Sequence, residues 1–226
     1  MEITERLSKE TARDYAYRTL RENIIKLKLA PGSMVSENDL ALEMGLSRTP
    51  TREALIELSK SQIVDVLPQK GSYITKIDYS MVDEARFMRL VLERGIVEIL
   101  CDTATEEELK TLRYSVSLQE FYLGHGMDDK FFKEDNAFHR RLFEMANKMQ
   151  SYKLMNSMMI HFDRVRMMRL QTSREVNELL TDHKVIVEAI AQRNVTEAVE
   201  RMTLHLTRYK VDAELIRKNH PDYFID

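Results

Sequence analysis

The sequence predicts a mainly α protein in two parts. A winged helix-turn-helix domain occupies residues 1–76, and an all-α bundle of six or seven helices occupies residues 77–226. Three observations predict this. Apolar residues recur at helical spacing through most of the chain. The β-prone runs are confined to residues 63–67 and 72–75, with Pro68, Gln69, Lys70 and Gly71 between them as a hairpin turn. Nothing after Thr75 alternates like a strand.

The first helix is expected over residues 13–29, with Tyr17, Leu20, Ile24 and Leu27 on its apolar side. Ala30, Pro31 and Gly32 end it. Residues 36–60 then read as two short helices joined at Gly45. Ser36 is a good N-cap, with Asp39 three residues on. Leu40, Ala41 and Met44 give an apolar stripe, and Gly45 supplies the left-handed position that ends the helix. Leu46 plugs the angle between the helices. Ser47 caps the second helix, whose first turn tolerates Pro50 because N–H groups there have no partner. Ser47, Arg48, Thr49 and Arg52 crowd its exposed start, while Ala54, Leu55 and Leu58 face inward. Guanidinium forks and hydroxyls beside free backbone N–H groups suit phosphate oxygens and the O6/N7 edge of guanine. A capped surface hairpin with ordinary arginines is the plain alternative. The flanks weigh against it, because helix, helix-turn-helix, hairpin is the winged order. Lys70 and Gly71 fall at the wing tip, where a basic side chain and bare backbone approach the sugar-phosphate groove.

In the second part Ser80 is the expected N-cap of a helix reaching Cys101, with Phe87, Leu90, Val91, Ile96 and Val97 inside. Thr105 caps the next helix with Glu108 as its capping-box partner. Four more follow over residues 128–146, 151–170, 176–193 and 196–217, and a break within 145–150 would make seven. The tail after His220 is expected to be loose. Asp135 and His139 stand at i and i+4, on one helix face. His183 lies 11 residues before Asn194 and His205 lies 11 after, so an antiparallel hairpin sets them face to face. One carboxylate and three imidazoles then suit a borderline divalent ion, Zn²⁺ or Ni²⁺, with Mn²⁺ and Fe²⁺ as further candidates. The plain alternative is a chance acid–histidine pair among scattered histidines. Arg89 has two readings as well: a guanidinium for a ligand carboxylate, or an intrahelical pair with Glu93. Arg86, one turn earlier, is the fallback. His161 reads as a core histidine or one backing the ligands rather than a ligand, Cys101 as a packed thiol, and the methionines of residues 155–168 as adaptable core, some of them able to line a ligand cavity.

Charge excludes one class. The net charge of the 226-residue chain is −3. Residues 1–75 hold eleven basic and eleven acidic side chains, leaving 23 and 26 for the remainder. A neutral first domain is not a nonspecific nucleic-acid binder, so affinity must come from locally placed arginines. One cysteine, no signal-peptide pattern and no apolar run near membrane length lead to the expectation of a cytoplasmic protein with no membrane partner.

Four pieces together resemble the N-terminal domain of the GntR transcription regulators. They are L-x-P-G at 29–32, E-x-x-L-A at 37–41, G-x-S-R-T-P-x-R-E-A-L at 45–55 and G-S-Y-I at 71–74. Thr51 departs from the family, which more often has an aliphatic residue there. Residues 80–218 resemble the helical effector domain of the FadR branch, often called FCD. Asp135-x-x-x-His139, then His183, then His205 fit its pattern, and Arg89 to Glu93 fits its R-x-x-L-E. The resemblance implies a DNA-binding transcription regulator and not an enzyme, most commonly a repressor. Its four ligands would hold a divalent metal ion whose open positions take water or the carboxylate of an organic-acid effector, with Arg89 or Arg86 at the pocket. A single winged domain recognises a short site weakly, so a homodimer on an inverted-repeat, double-stranded operator is expected. Two alternatives stay open: a regulator for which the ion itself is the signal, and a metal-dependent enzyme. No H-E-x-x-H, nucleophile elbow or phosphate loop supports the latter.

Overall fold

The computed structural model describes residues 1–67, 71–172, 177–208 and 213–225. The chain divides into two compact units: Met1–Val82 with Ile160–Val165 and Leu215–Asp226, and Asp83–Met159 with Arg166–Glu214. No helix among the described residues is long and apolar enough to cross a membrane.

In the first unit, helix α1 spans Ala12–Ile25 and is capped by the Thr11 hydroxyl, which accepts from the Asp14 N–H. Leu20 and Ile24 are fully buried, but Tyr15 rather than Tyr17 joins them. The helix stops four residues short of the sequence expectation. Leu27 turns left-handed (φ 62°), and the N–H groups of Lys28 and Leu29 close on the Asn23 carbonyl at 2.9 and 3.2 Å. A two-residue strand β1, Met34–Val35, follows. Helix α2 spans Glu37–Glu43 and starts as expected, with Ser36 Oγ accepting from the Asp39 N–H at 3.3 Å. Gly45 (φ 66°) makes the turn into α3, Arg48–Lys60. Ser47 occupies the N-cap without a side-chain cap. Its carbonyl accepts instead from the hydroxyl of Thr51 at 3.2 Å. Thr51 is fully buried, so this bond satisfies its one polar atom and accounts for a hydroxyl at an aliphatic position.

Strands β2, Val64–Leu67, and β3, Gly71–Ile74, pair antiparallel, with Leu67 opposite Gly71. Strand β1, which the sequence did not reveal, adds to the other edge of β3, giving the order β1-β3-β2. Ala54, Leu55, Leu58, Ile63 and Ile74 fill the core with α1.

The segment after the wing is held from two sides within this unit. The Arg164 guanidinium donates to the Thr75 carbonyl at 2.7 Å and lies 2.8 Å from His161 Nδ1, which also accepts from the Asp78 N–H at 3.2 Å. The C-terminal tail is not loose. The Ile77 N–H donates to the Tyr223 carbonyl at 2.7 Å, the Ile225 N–H to the Ile77 carbonyl at 3.0 Å, and buried Phe224 stacks on Tyr79 at 5.3 Å. An aromatic ring with a buried place to go, plus two backbone bonds, overrides the tendency of a terminus to fray.

The remaining helices are α4 Tyr79–Thr103, α5 Glu106–Gly124, α6 Asp128–Met145, α7 Met149–Met158, α8 Ile160–Thr172, α9 Asn177–Ala191, α10 Val195–Thr207 and α11 Ala213–Asn219. The Thr105–Glu108 capping box forms. At the start of α4 the cap is Asp78, not Ser80: its Oδ1 accepts the Ser80 N–H at 2.8 Å and the Ser80 hydroxyl at 2.7 Å. The run expected as one helix over 151–170 divides at Met159, and left-handed Asn147 (φ 54°) separates α6 from α7. In the second unit α5 packs on α6 and α9, and α9 on α10.

Helix α4 keeps Ile96 and Val97 inside as expected but corrects the expectation for Phe87 and Val91. Phe87 and Val91 are 67% and 54% exposed, while Arg89 and Glu93 are buried. Their inward turn follows from the partners described below.

Two outcomes are expected for the first unit. Phe224→Ala should lower its stability by about 3 kcal/mol, the usual scale for a buried Phe truncation, measured as a lower urea midpoint. Burial, and then the Arg164 charge, depress the His161 pKa to about 4; an unfolded histidine titrates near ~6.5. The unfolded chain therefore takes the proton first, so stability is present above ~6.5 and falls as pH drops toward the folded value. The fall in urea midpoint between about pH 7 and about pH 5 should be smaller in His161→Asn. An equal slope in both proteins would refute it.

Candidate nucleic-acid interface and metal centre

In the winged unit, Ser47, Arg48, Thr49 and Arg52 are all exposed at the start of α3. Arg48 Nε donates to Glu37 Oε2 on α2 at 2.8 Å, with the arginine side chain 63% exposed. The Glu37 side chain is 14% exposed, but the arginine end of the pair is open to water, so the pair is worth little. Arg48 and Arg52 line an open groove of about 630 Å³ together with Met34, Glu37, Val66 and Gly71. The groove therefore has two guanidinium groups on one wall and the wing on the other. Gly71 has φ 104°, a conformation that L side chains rarely adopt. Lys70 lies outside the described residues.

In the helical unit, Asp135 and His139 of α6, His183 of α9 and His205 of α10 are all buried. One ligand atom from each lies within 4.8 Å of every other. His183 Nε2 is 3.2 Å from His205 Nε2, which is 3.3 Å from His139 Nε2. Asp135 Oδ1 is 3.8 Å from His183 Nε2. The i,i+4 step on α6 and the equal spacing about Asn194 place these donors as the sequence implied. Phe138 stacks on the His183 ring at 4.3 Å and walls the cluster with apolar surface.

Each imidazole is backed at its other nitrogen by a different helix. His139 Nδ1 bonds to Glu93 Oε2 of α4 at 2.6 Å, and His183 Nδ1 to Gln119 Oε1 of α5 at 2.7 Å. His205 Nδ1 faces Asp182 Oδ2 of α9 at 3.7 Å, an electrostatic contact beyond hydrogen-bond reach. Glu93 Oε1 also accepts from Arg89 Nε at 2.7 Å. Arg166 of α8 is ion-paired with Asp135 Oδ2.

These partners decide where the ring protons sit. A carboxylate or amide oxygen accepts, so Nδ1 of His139 and His183 carries the proton and each Nε2 presents a bare lone pair. His205 Nε2 lies between the two. One proton there can serve one neighbour but not both, and the Asp135 carboxylate adds further negative charge. Burial, and then Arg89, hold His139 well below the usual histidine range, and burial followed by His205 does the same to His183. Burial pushes Asp135 up, but Arg166, His139, His183 and Arg89 together outweigh it and keep the group ionised. Burial likewise opposes ionisation of Asp182, which the His205 ring and the Arg208 guanidinium nevertheless draw down to about 2. The neutral imidazoles of His139 and His183, the ionised Asp135 carboxylate and lone pairs converging on one point are the donor chemistry that a divalent cation requires. Right-angle nitrogen donors at about 2.1 Å from an ion stand about 3.0 Å apart, and tetrahedral ones about 3.4 Å. The two nitrogen separations fall between these values.

The remaining sequence candidates divide. Arg89 is buried and makes the intrahelical pair with Glu93, the second of its two sequence readings, and it adjoins the cluster through that glutamate. Arg86 donates to Asp83 Oδ1 at 2.7 Å, and Asp83 is 69% exposed. His161 belongs to the other compact unit. Sequence reasoning missed Gln119, Asp182 and Arg166. Asp182 precedes His183, and neighbours at i,i+1 do not share a helix face; its contact is with His205 on the next helix. Gln119 and Arg166 carry no local signal, because their meaning comes from α5 and α8 meeting other helices.

The comparisons with known proteins agree with this architecture. Residues 12–74 match the model of the bacterial regulatory proteins of the gntR family, and residues 84–208 match the FCD domain. The chain is 32% identical over 217 residues to an HTH-type transcriptional regulator in an unstable DNA locus of Streptomyces ambofaciens, covering 95% of this chain and 90% of that protein. It is 31% identical over 209 residues to the HTH-type transcriptional repressor RspR of Escherichia coli, covering 92% and 91%. Among solved structures, E. coli McbR/YncC superposes with a TM-score of 0.79 at 15% identity, covering 93% of this chain and 99% of that one, a likeness of fold. The winged unit with its exposed α3 arginines and the helical unit with its buried donors are thus the two halves of a GntR-family protein with an FCD domain, and the chain is a DNA-binding transcription regulator of that family, not an enzyme.

Proposed function

We propose that this regulator is a repressor whose operator affinity is set by a small organic acid, bound at a divalent ion held by Asp135, His139, His183 and His205. The observation that carries the reading is the convergence of three imidazole Nε2 atoms and one ionised carboxylate, with His139 and His183 hydrogen-bonded from behind by buried Glu93 and Gln119 and Asp135 ion-paired with Arg166. Zn²⁺ or Ni²⁺ suits the nitrogen-rich set, with Mn²⁺ and Fe²⁺ as alternatives. The ion would supply Lewis acidity for an anionic ligand. Arg89 and Arg166 add positive charge beside it. The repressor sense follows the name of RspR.

In this reading residues 1–76 bind DNA and residues 77–226 bind effector and dimerise, in the cytoplasm. Ser47, Arg48, Thr49 and Arg52 meet base edges and phosphates in the major groove, and Lys70 and Gly71 follow the backbone at the wing. Arg86 stays in reserve as a second effector contact. A homodimer on an inverted repeat is supported by exposed Phe87 and Val91 on α4 and Tyr114 and Phe121 on α5, apolar surface suited to a second copy. The mechanism is linkage: effector favours one state of the dimer, and that state has a different operator affinity. A second reading, with the ion itself as signal, rests on the same four donors. Dialysis separates them, because a cofactor ion is retained and a sensed ion exchanges.

On the DNA side, Arg48→Ala and Arg52→Ala should each cost about 1–3 kcal/mol of operator discrimination with the fold intact. Footprinting with normal site selection in both variants would end this assignment.

On the effector side, native mass spectrometry should find a dimer with one ion per subunit. His183→Ala should lose the ion together with its linked stability, about 3 kcal/mol at a hundredfold excess of ion over Kd. Chelation should lower effector affinity more than operator affinity. An ion-free wild type prepared without chelator, with an unchanged effector response in His183→Ala, would overturn the metal reading.

A further inference from the structure

The two oxygens of Asp135 have different commitments. Oδ1 stands among the converging donors, 3.8 Å from His183 Nε2. Oδ2 accepts from Arg166 in a close ion pair. The arginine is anchored as well. Its second terminal nitrogen donates to Asn136 Oδ1 at 2.7 Å, and its guanidinium carbon lies 4.7 Å over the Phe132 ring. Phe132, Asp135 and Asn136 stand at i, i+3 and i+4 on α6, so one helix face grips the arginine of another helix. A partly buried guanidinium with this many partners does not release a carboxylate oxygen readily.

We infer that Arg166 is a positioning residue that holds Asp135 to a single donor atom and so keeps room for an exogenous carboxylate at the ion. The inference rests on the metal reading above and adds the question of how many places the protein leaves open. A free carboxylate beside a divalent cation binds through one oxygen or both. Bonded to Arg166, Oδ2 is withheld, and the chain offers three nitrogens and one oxygen. A six-coordinate ion then has two places for a small acid. Without Arg166, Asp135 is free to chelate, and the added oxygen takes one of those places. Arg166 therefore governs affinity for the acid more than retention of the ion. Asn136 and Phe132 act through it, by fixing the guanidinium.

The test uses full-length protein loaded with Co²⁺, whose visible spectrum reports coordination number and geometry. Ion content is measured separately, and acetate serves as the carboxylate probe. Wild-type protein should show a saturable spectral change with acetate. Arg166→Met keeps a stem of similar length over Phe132 but cannot hold Oδ2. It should retain Co²⁺, show an altered spectrum before any acetate is added, and bind acetate at least about tenfold more weakly. Arg166→Lys keeps a charged donor and should recover most of the wild-type response. Should Arg166→Met fail to fold by circular dichroism, Asn136→Ala loosens the same guanidinium and should weaken acetate binding several-fold. Retained Co²⁺ with a wild-type spectrum and acetate affinity in the folded variant would overturn the inference and leave the metal reading standing. Wild-type protein that takes up no Co²⁺ would overturn both.

Discussion

A carboxylate and three imidazoles gathered in an apolar bundle create one electrostatic demand, and the helical unit is arranged around meeting it. Buried polar groups without partners cost several kcal/mol in aggregate, and buried charges cost more. Each donor is therefore answered from another direction: Glu93 from α4, Gln119 from α5, Asp182 from α9 and Arg166 from α8. The answers extend outward, since Arg89 neutralises Glu93 while Arg201 and Arg208 neutralise Asp182. The outcome is a compensated shell around a convergence of lone pairs that protein groups alone do not balance. This imbalance makes the cluster a candidate ion site rather than a set of satisfied core histidines.

The same demand explains α4. A helix normally turns its charged face to water, and Phe87 and Val91 would have been the natural core stripe. In its first half the helix instead turns Arg89 and Glu93 inward, where Glu93 meets His139, while Ile96 and Val97 stay inside further along. The result is an apolar stripe of Phe87 and Val91 on the surface.

The winged unit obeys a different logic, local capping and small-scale strand pairing. Asn23 ends α1 through its carbonyl, Ser36 starts α2, and Gly45 sets the angle between the two short helices. The exposed Arg48 of α3 is left with one weak partner, Glu37. The proposed role in DNA contact calls for this, because a guanidinium locked in a strong buried pair would have to be released before it met DNA. Arg48 and Arg166 show the contrast. One is itself mostly exposed to water and held by one carboxylate, while the other is largely buried and gripped by a whole helix face.

The sequence alone determined the helices, the turn at Gly45, the wing, and the identities of Asp135, His139, His183 and His205. These are local or nearly local facts: helical period, capping residues, an i,i+4 step, and equal spacing about one turn. It did not determine the end of α1, the small strand β1, the break at Met159, or the docking of the tail through Phe224. The tertiary structure decided those, along with the rotational phase of α4 and the roles of Gln119, Asp182 and Arg166. The physical reason is common to all of them. Periodicity says that a helix has an inner face, but the choice of face, and of partner for each buried charge, is a competition among groups far apart in the chain. It is resolved only when they are brought together and taken out of water.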